Sequence, residues 1–164
     1  MKIKTPITDH VDFDQVYEPA EDSFLLLDAL EKDLEIMSNQ DEQKISPQPV
    51  FCLEIGSGSG IISTGLASVL PNSMIFACDI NPHACLASQK TSEINQTAEN
   101  QSIIRMDFLN FFPFCDGIID LLVCNPPYVA TSDDELGKKI ITEGPRIVRK
   151  FVPKFLCVIR NRTI

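Results

Sequence analysis

Apolar positions at Phe24, Leu27, Leu30, Leu34 and Met37 recur at helical spacing and predict a helix from about Pro19 to Met37. Glu21 and Asp22 near its start suit the positive end of a helix dipole. Residues 38–49, rich in Ser, Asn, Gln, Asp and Pro, read as a surface linker. The pattern then changes. Val50–Ile55 is a short apolar run ending in glycines, as a buried parallel strand does. A helix over Ile61–Leu70, a strand over Met74–Cys78 and a helix over Pro82–Ile94 follow. Ser102–Met106 and Asp120–Cys124 give a third and a fourth strand, and Phe155–Ile159 a fifth.

Strands alternating with helices at this spacing imply βαβ units and a doubly wound, mostly parallel sheet, an α/β fold of Rossmann-like type. Right-handed crossovers put the carboxyl ends of all the parallel strands on one rim, where such sheets bind ligands. A chain of 164 residues holds one such core rather than two. We therefore divide it into an irregular start (1–16), a main domain (17–137) and a divergent basic end (138–164).

Charge sharpens that division. Residues 1–50 carry four basic and twelve acidic side chains, and residues 51–137 carry two and ten. Residues 138–164 reverse the balance with eight basic and one acidic. The acidic body is a poor match for a phosphate backbone, so nucleic acid is the less favoured partner. No run of eighteen apolar residues occurs, and Met1-Lys2-Ile3-Lys4-Thr5-Pro6 lacks the apolar stretch of a secretory signal. No membrane association and a cytoplasmic location are expected, with the nucleus as a second compartment. Cys52, Cys78, Cys85, Cys115, Cys124 and Cys157 contain no Cys-x-x-Cys pair, which points to buried free thiols and no metal site.

Candidate chemistry gathers at the strand ends. Leu53-Glu54-Ile55-Gly56-Ser57-Gly58-Ser59-Gly60 joins the first strand to its helix, and Gly56, Gly58 and Gly60 let backbone approach a ligand closely. By itself such a turn serves nucleotides, flavins and methyl donors alike. Asp79 follows the second strand, where a carboxylate takes both hydroxyls of a ribose. Asp107 follows the third, where it can face an adenine amino group, and Glu54 can face the cationic end of the ligand. Each alone could equally cap a helix. Together they make an acidic mouth that suits a sulfonium-and-ammonium ligand with a ribose, S-adenosylmethionine, better than a pyrophosphate.

The fourth strand ends in Cys124-Asn125-Pro126-Pro127-Tyr128. Prolines remove backbone donors and leave carbonyls free to accept, and Asn125 adds a side-chain carbonyl. A planar NH2 group here would donate one hydrogen to Asn125 and the other to the Pro126 carbonyl, with Tyr128 stacked on its plane. That holds a nitrogen in line with an electrophilic methyl group, and positioning of this kind is worth up to roughly 7–11 kcal/mol. Asn125, Pro126 and Tyr128 are the candidate catalytic residues.

These residues have recognisable company. Glu54-Ile55-Gly56-Ser57-Gly58-Ser59-Gly60, Asp79-Ile80-Asn81-Pro82 and Asn125-Pro126-Pro127-Tyr128 together resemble the HemK class of release-factor glutamine methyltransferases. Val16-Tyr17-Glu18-Pro19-Ala20-Glu21-Asp22-Ser23 is similar to the start of its short eukaryotic and archaeal branch. The resemblance covers roughly residues 13–135. It implies a class I S-adenosylmethionine-dependent methyltransferase that modifies the N5 of the glutamine in the Gly-Gly-Gln loop of a class I translation termination factor. It also implies a small zinc-binding activator subunit that pairs with the sheet edge. By motif position, Tyr17, Ser23, Glu54, Gly56, Asp79, Asp107, Phe108 and Asn125 would line the donor site.

After about Leu136 the pattern departs from that family. A Gly-Gly segment, a fifth strand, a helix and a terminal antiparallel pair are called for, whereas Thr142–Ile164 runs straight into a short basic end. This predicts a truncated or alternatively spliced chain that lacks the final antiparallel strands and leaves a sheet edge unpaired. Other readings are an adenine N6-methyltransferase of nucleic acid, which would extrude a base and usually need a basic groove, a protein lysine methyltransferase, or an inactive module that only binds the donor.

Overall fold

A computed structural model of the chain describes residues 2–38, 48–107, 118–125 and, for their backbone, 157–160. Helix α1 spans Glu21–Ser38, strand β1 Phe51–Ile55, helix α2 Ile61–Val69, strand β2 Met74–Asp79 and helix α3 Pro82–Ile94. A 3-10 turn at Ala98–Asn100 leads into β3, Gln101–Arg105; β4 is Leu121–Cys124 and β5 is Cys157–Arg160. The sheet order is β3-β2-β1-β4-β5. The first four strands run parallel, and β5 lies antiparallel to β4.

The register follows from burial. In β1, Cys52 faces one side of the sheet and Leu53 the other, and both are buried, as expected for a strand interior to a parallel sheet. Cys52, Ile75, Leu121 and Val123 supply the sheet side of the main core, against Leu26, Leu27, Leu30 and Leu34 of α1 and Ile61, Ile62 and Leu66 of α2. Helix α1 was expected to bury Phe24, but Phe24 is exposed and Leu26 is buried in its place. Leu26, Leu30 and Leu34 recur every four residues, so a stripe that includes both Phe24 and Leu27 would straddle the buried face. At the opposite end of the strands, Asp120 Oδ2 accepts from the backbone N–H groups of Val50 and Phe51 at 2.8 and 3.0 Å, which pins β1 to β4 before their pairing begins.

The fifth strand expected at Phe155–Ile159 forms as β5 at Cys157–Arg160. It pairs antiparallel with β4 from Leu121↔Arg160 to Cys124↔Cys157, so the outer edge of β4 is covered, and no further antiparallel strand occurs among the described residues. The backbone groups of β5 satisfy the outer ladder of β4, which a four-strand sheet would leave open. The linker beyond Ser38 up to residue 47 and nearly all of the basic end fall outside the described residues. Cys52, Cys78, Cys85 and Cys124 are free thiols. Burial pushes Cys52 and Cys78 up to about 12, so both stay protonated and unreactive. No helix among the described residues is long and apolar enough to cross a membrane.

Candidate functional site

Strand order reverses direction between β1 and β4: the chain moves outward through β2 and β3, then returns to the other side of β1. Such a switch point opens a crevice at the carboxyl ends of the two strands. Ile55 is paired with Cys124 across it. The next residue on each side, Gly56 and Asn125, therefore begins one lip of the same crevice. Adjacent strands lie about 4.8 Å apart, so the lips are close neighbours.

The glycine lip is heavily braced. Gly56, Gly58 and Gly60 all have positive φ (76°, 53° and 79°). At Gly60 a Cβ would lie 2.7 Å from the Ser88 Cα, so helix α3 can pack against the loop only because that atom is missing. Ser88 Oγ donates to the Gly58 carbonyl at 3.1 Å and lies 2.9 Å from Ser57 Oγ, whose own hydroxyl can donate to it. Thr91 Oγ1 donates to the Ser59 carbonyl at 2.6 Å. A Cβ built on Gly56 or Gly58 meets nothing within 4 Å among the described residues, which leaves the crevice side of the loop clear of them.

The acidic residues divide the work. Asp79 Oδ2 accepts from Gly58 N–H and its Oδ1 from Asn81 N–H, both at 2.9 Å. Each carboxylate oxygen has a second lone pair, so Asp79 keeps two acceptor directions for a diol. Asp107 lies two residues past the end of β3. Glu54 is fully buried, and its Oε2 accepts from Ser63 N–H at 3.0 Å, in the first turn of α2. Burial raises its carboxyl to about 8, and the neighbouring Asp79 charge adds to the rise. Glu54 is thus a neutral cap on α2 at pH 7, the helix-cap alternative left open by the sequence.

The other lip is held from a distance. Asn125 Nδ2 donates to Asp22 Oδ2 at 2.8 Å and reaches Ser23 Oγ at 3.4 Å, both in the first turn of α1. Tyr17 sits 67% exposed on the arm that precedes α1. That arm is tied to the end of β2 where Asn81 Nδ2 donates to the Gln15 carbonyl at 2.9 Å. The structure therefore joins Ser23 to Asn125 and Gly58 to Asp79. Pro126, Tyr128 and Phe108 lie outside the described residues. Sequence reading overlooked Asp22, which it treated only as a helix-dipole charge; the signal available was its place beside Ser23. Ser88 and Thr91 gave no signal at all, because small polar residues on a helix look alike wherever they face.

A family model described as the methyltransferase small domain matches residues 25–160. Methyltransferase HEMK2 of Homo sapiens is 40% identical over 160 residues, covering 91% of this chain and 70% of that protein. The eRF1 methyltransferase catalytic subunit mtq2 of Schizosaccharomyces pombe is 37% identical over 151 residues, covering 85% of this chain and 63% of that protein. A release factor glutamine methyltransferase of Flavobacterium psychrophilum is 33% identical over 99 residues, covering 58% of this chain and 33% of that protein.

Proposed function

We propose that this chain, which belongs to the methyltransferase small domain family, methylates the N5 of a glutamine side chain in a class I translation termination factor. The methyl donor is S-adenosylmethionine. The names carried by its eRF1 and release-factor relatives support that acceptor. The observation that carries the reading is the juxtaposition of Asn125 with the open glycine loop across the β1/β4 switch point.

The residues present fit the donor. Gly56 and Gly58 leave room at the crevice, and Asp79 offers two unused acceptor directions for ribose hydroxyls. Ser23, Tyr17, Asp107 and Phe108 complete the donor site. Bound there, the donor supplies a methyl carbon made electrophilic by its sulfonium. The rest is positioning. Asn125 Oδ1 accepts one hydrogen of the glutamine NH2, the Pro126 carbonyl accepts the other, and Tyr128 stacks on the amide plane. Two acceptors hold the nitrogen lone pair toward the methyl group and stabilise the positive charge that develops on it. Once methylated, the amide nitrogen would be acidic and would lose its proton to solvent, so no strong base is asked of the chain's own residues.

A small zinc-binding activator subunit docks on the sheet edge in this proposal. Strand β3 ends the sheet order, and Ile103 and Ile104 on it are only half-buried, which supports that edge as an acceptor of a further strand. A substrate that acts in translation supports a cytoplasmic location for the protein in this proposal. The test is Asn125→Ala, assayed with labelled donor and the activator against a termination factor, a histone and an oligonucleotide. Transfer to the termination factor should fall by about 100-fold or more, while donor affinity stays within about threefold. Full activity in the variant, or transfer by the unaltered protein to the oligonucleotide alone, would overturn the proposal.

A further inference from the structure

We propose that Asp22 is a positioning residue that decides which way round the Asn125 carboxamide sits; this rests on the role given to Asn125 above. The two ends of a carboxamide have nearly the same shape and opposite hydrogen-bonding character. If Asn125 presented its NH2 to the crevice, it would meet the substrate NH2 donor to donor, and the acceptor would be lost. Rotation about one bond therefore separates a working site from an inverted one.

Asp22 removes the ambiguity. A carboxylate only accepts, so the end of Asn125 lying 2.8 Å from Asp22 Oδ2 must be the nitrogen. Ser23 Oγ, at 3.4 Å from the same nitrogen, adds a second partner on that side. The opposite end, Oδ1, is then directed away from α1. In the flipped state, Oδ1 would face the carboxylate lone pairs and the charge of Asp22 would repel it. A hydrogen bond to a charged partner is also about twice as strong as a neutral one, and it draws electron density toward Oδ1, making it the better acceptor.

The device is rigid because its base is rigid. Asp22 occupies the first turn of α1, and that helix is anchored by buried Leu26, Leu27, Leu30 and Leu34. A residue 103 positions upstream of Asn125 thus sets the polarity of the acceptor.

Substitutions that differ in hydrogen bonding more than in size test this, with kcat, KM, donor affinity and melting temperature measured on the chain with its activator. Asp22→Ala leaves the carboxamide without its charged partner, and kcat should fall by about tenfold or more. Asp22→Asn keeps the shape but offers a donor as well as an acceptor, so it also stabilises the inverted amide. Its kcat should fall at least as far as that of Asp22→Ala, with donor affinity and melting temperature close to the unaltered protein. Glu21→Gln removes a neighbouring charge from the same helix turn without touching Asn125, and its kcat should not change. A purely structural role predicts the reverse order, with the isosteric Asn variant the mildest. Asp22→Asn at full kcat, beside an inactive Asn125→Ala, would overturn the positioning role and leave the proposed function standing. Full activity in Asn125→Ala would remove both.

Discussion

The two lips of the crevice are built on opposite principles. The glycine lip is a local construction: Asp79, Ser88 and Thr91, all within the β2–α3 unit that follows it, hold Ser57, Gly58 and Ser59 through four hydrogen bonds. Among the described residues, Asn125 on the opposite lip is tied by one good hydrogen bond and one long one to the first turn of α1, a helix far earlier in the chain. The first lip belongs to the core and should fail by unfolding or by losing its ligand. The described ties of Asn125 lie at the crevice rather than in the core, so the second should fail in turnover while the fold survives.

That contrast can be broken most forcefully at Gly60. Gly60→Ala must place a Cβ against the Ser88 backbone at a positive φ. We expect a loss on the order of 3 kcal/mol, read as a lowered melting temperature, from backbone strain plus displaced packing. A variant as stable as the parent would show the loop to be as lightly held as its opposite. Next comes Asp79→Ala, which leaves the Gly58 and Asn81 N–H groups unpaired. It should cost about 2 kcal/mol in stability and weaken donor binding by about tenfold or more, measured by calorimetry. The subtlest effect is in pH. Glu54 is neutral when folded up to about pH 8 but ionises near 4.5 when unfolded, so the folded state holds the extra proton between those values. The stability that Glu54 contributes is therefore complete below about 4.5 and is lost as pH rises toward 8. Glu54→Gln carries no proton to lose. The melting temperature of this variant relative to the parent should climb from about pH 5 to about pH 8, and a constant difference would refute the neutral cap.

Much of this was open to sequence reading. Short apolar runs located β1, β2 and β4 within a residue or two of their observed limits, because buried parallel strands must be continuously apolar, and Ile103-Ile104 located the half-buried edge strand β3 as closely. Glycines followed by a helix, Asp79 at a strand end and Asn125-Pro126 at another were also legible, since special backbone geometry and unpaired acceptors demand particular residue types. Helix α1 was legible as a helix but not in its exact phase. Phe24, Leu26 and Leu27 all lie near the apolar stripe, and their spacing fits more than one orientation of the helix. Leu26 rather than Phe24 turned inward, into the core that α1 shares with α2 and the sheet.

Sequence alone thus determined the order of elements, the open loop and the identity of the two lips, all of which follow from local rules about glycine, proline and hydrophobic period. Only the tertiary structure decided that Glu54 would accept from the first turn of α2, that β5 would run antiparallel beside β4, and that Asp22 would meet Asn125. Each of those depends on where distant segments meet once the sheet has closed, and partners so far apart along the chain leave no periodic trace in it.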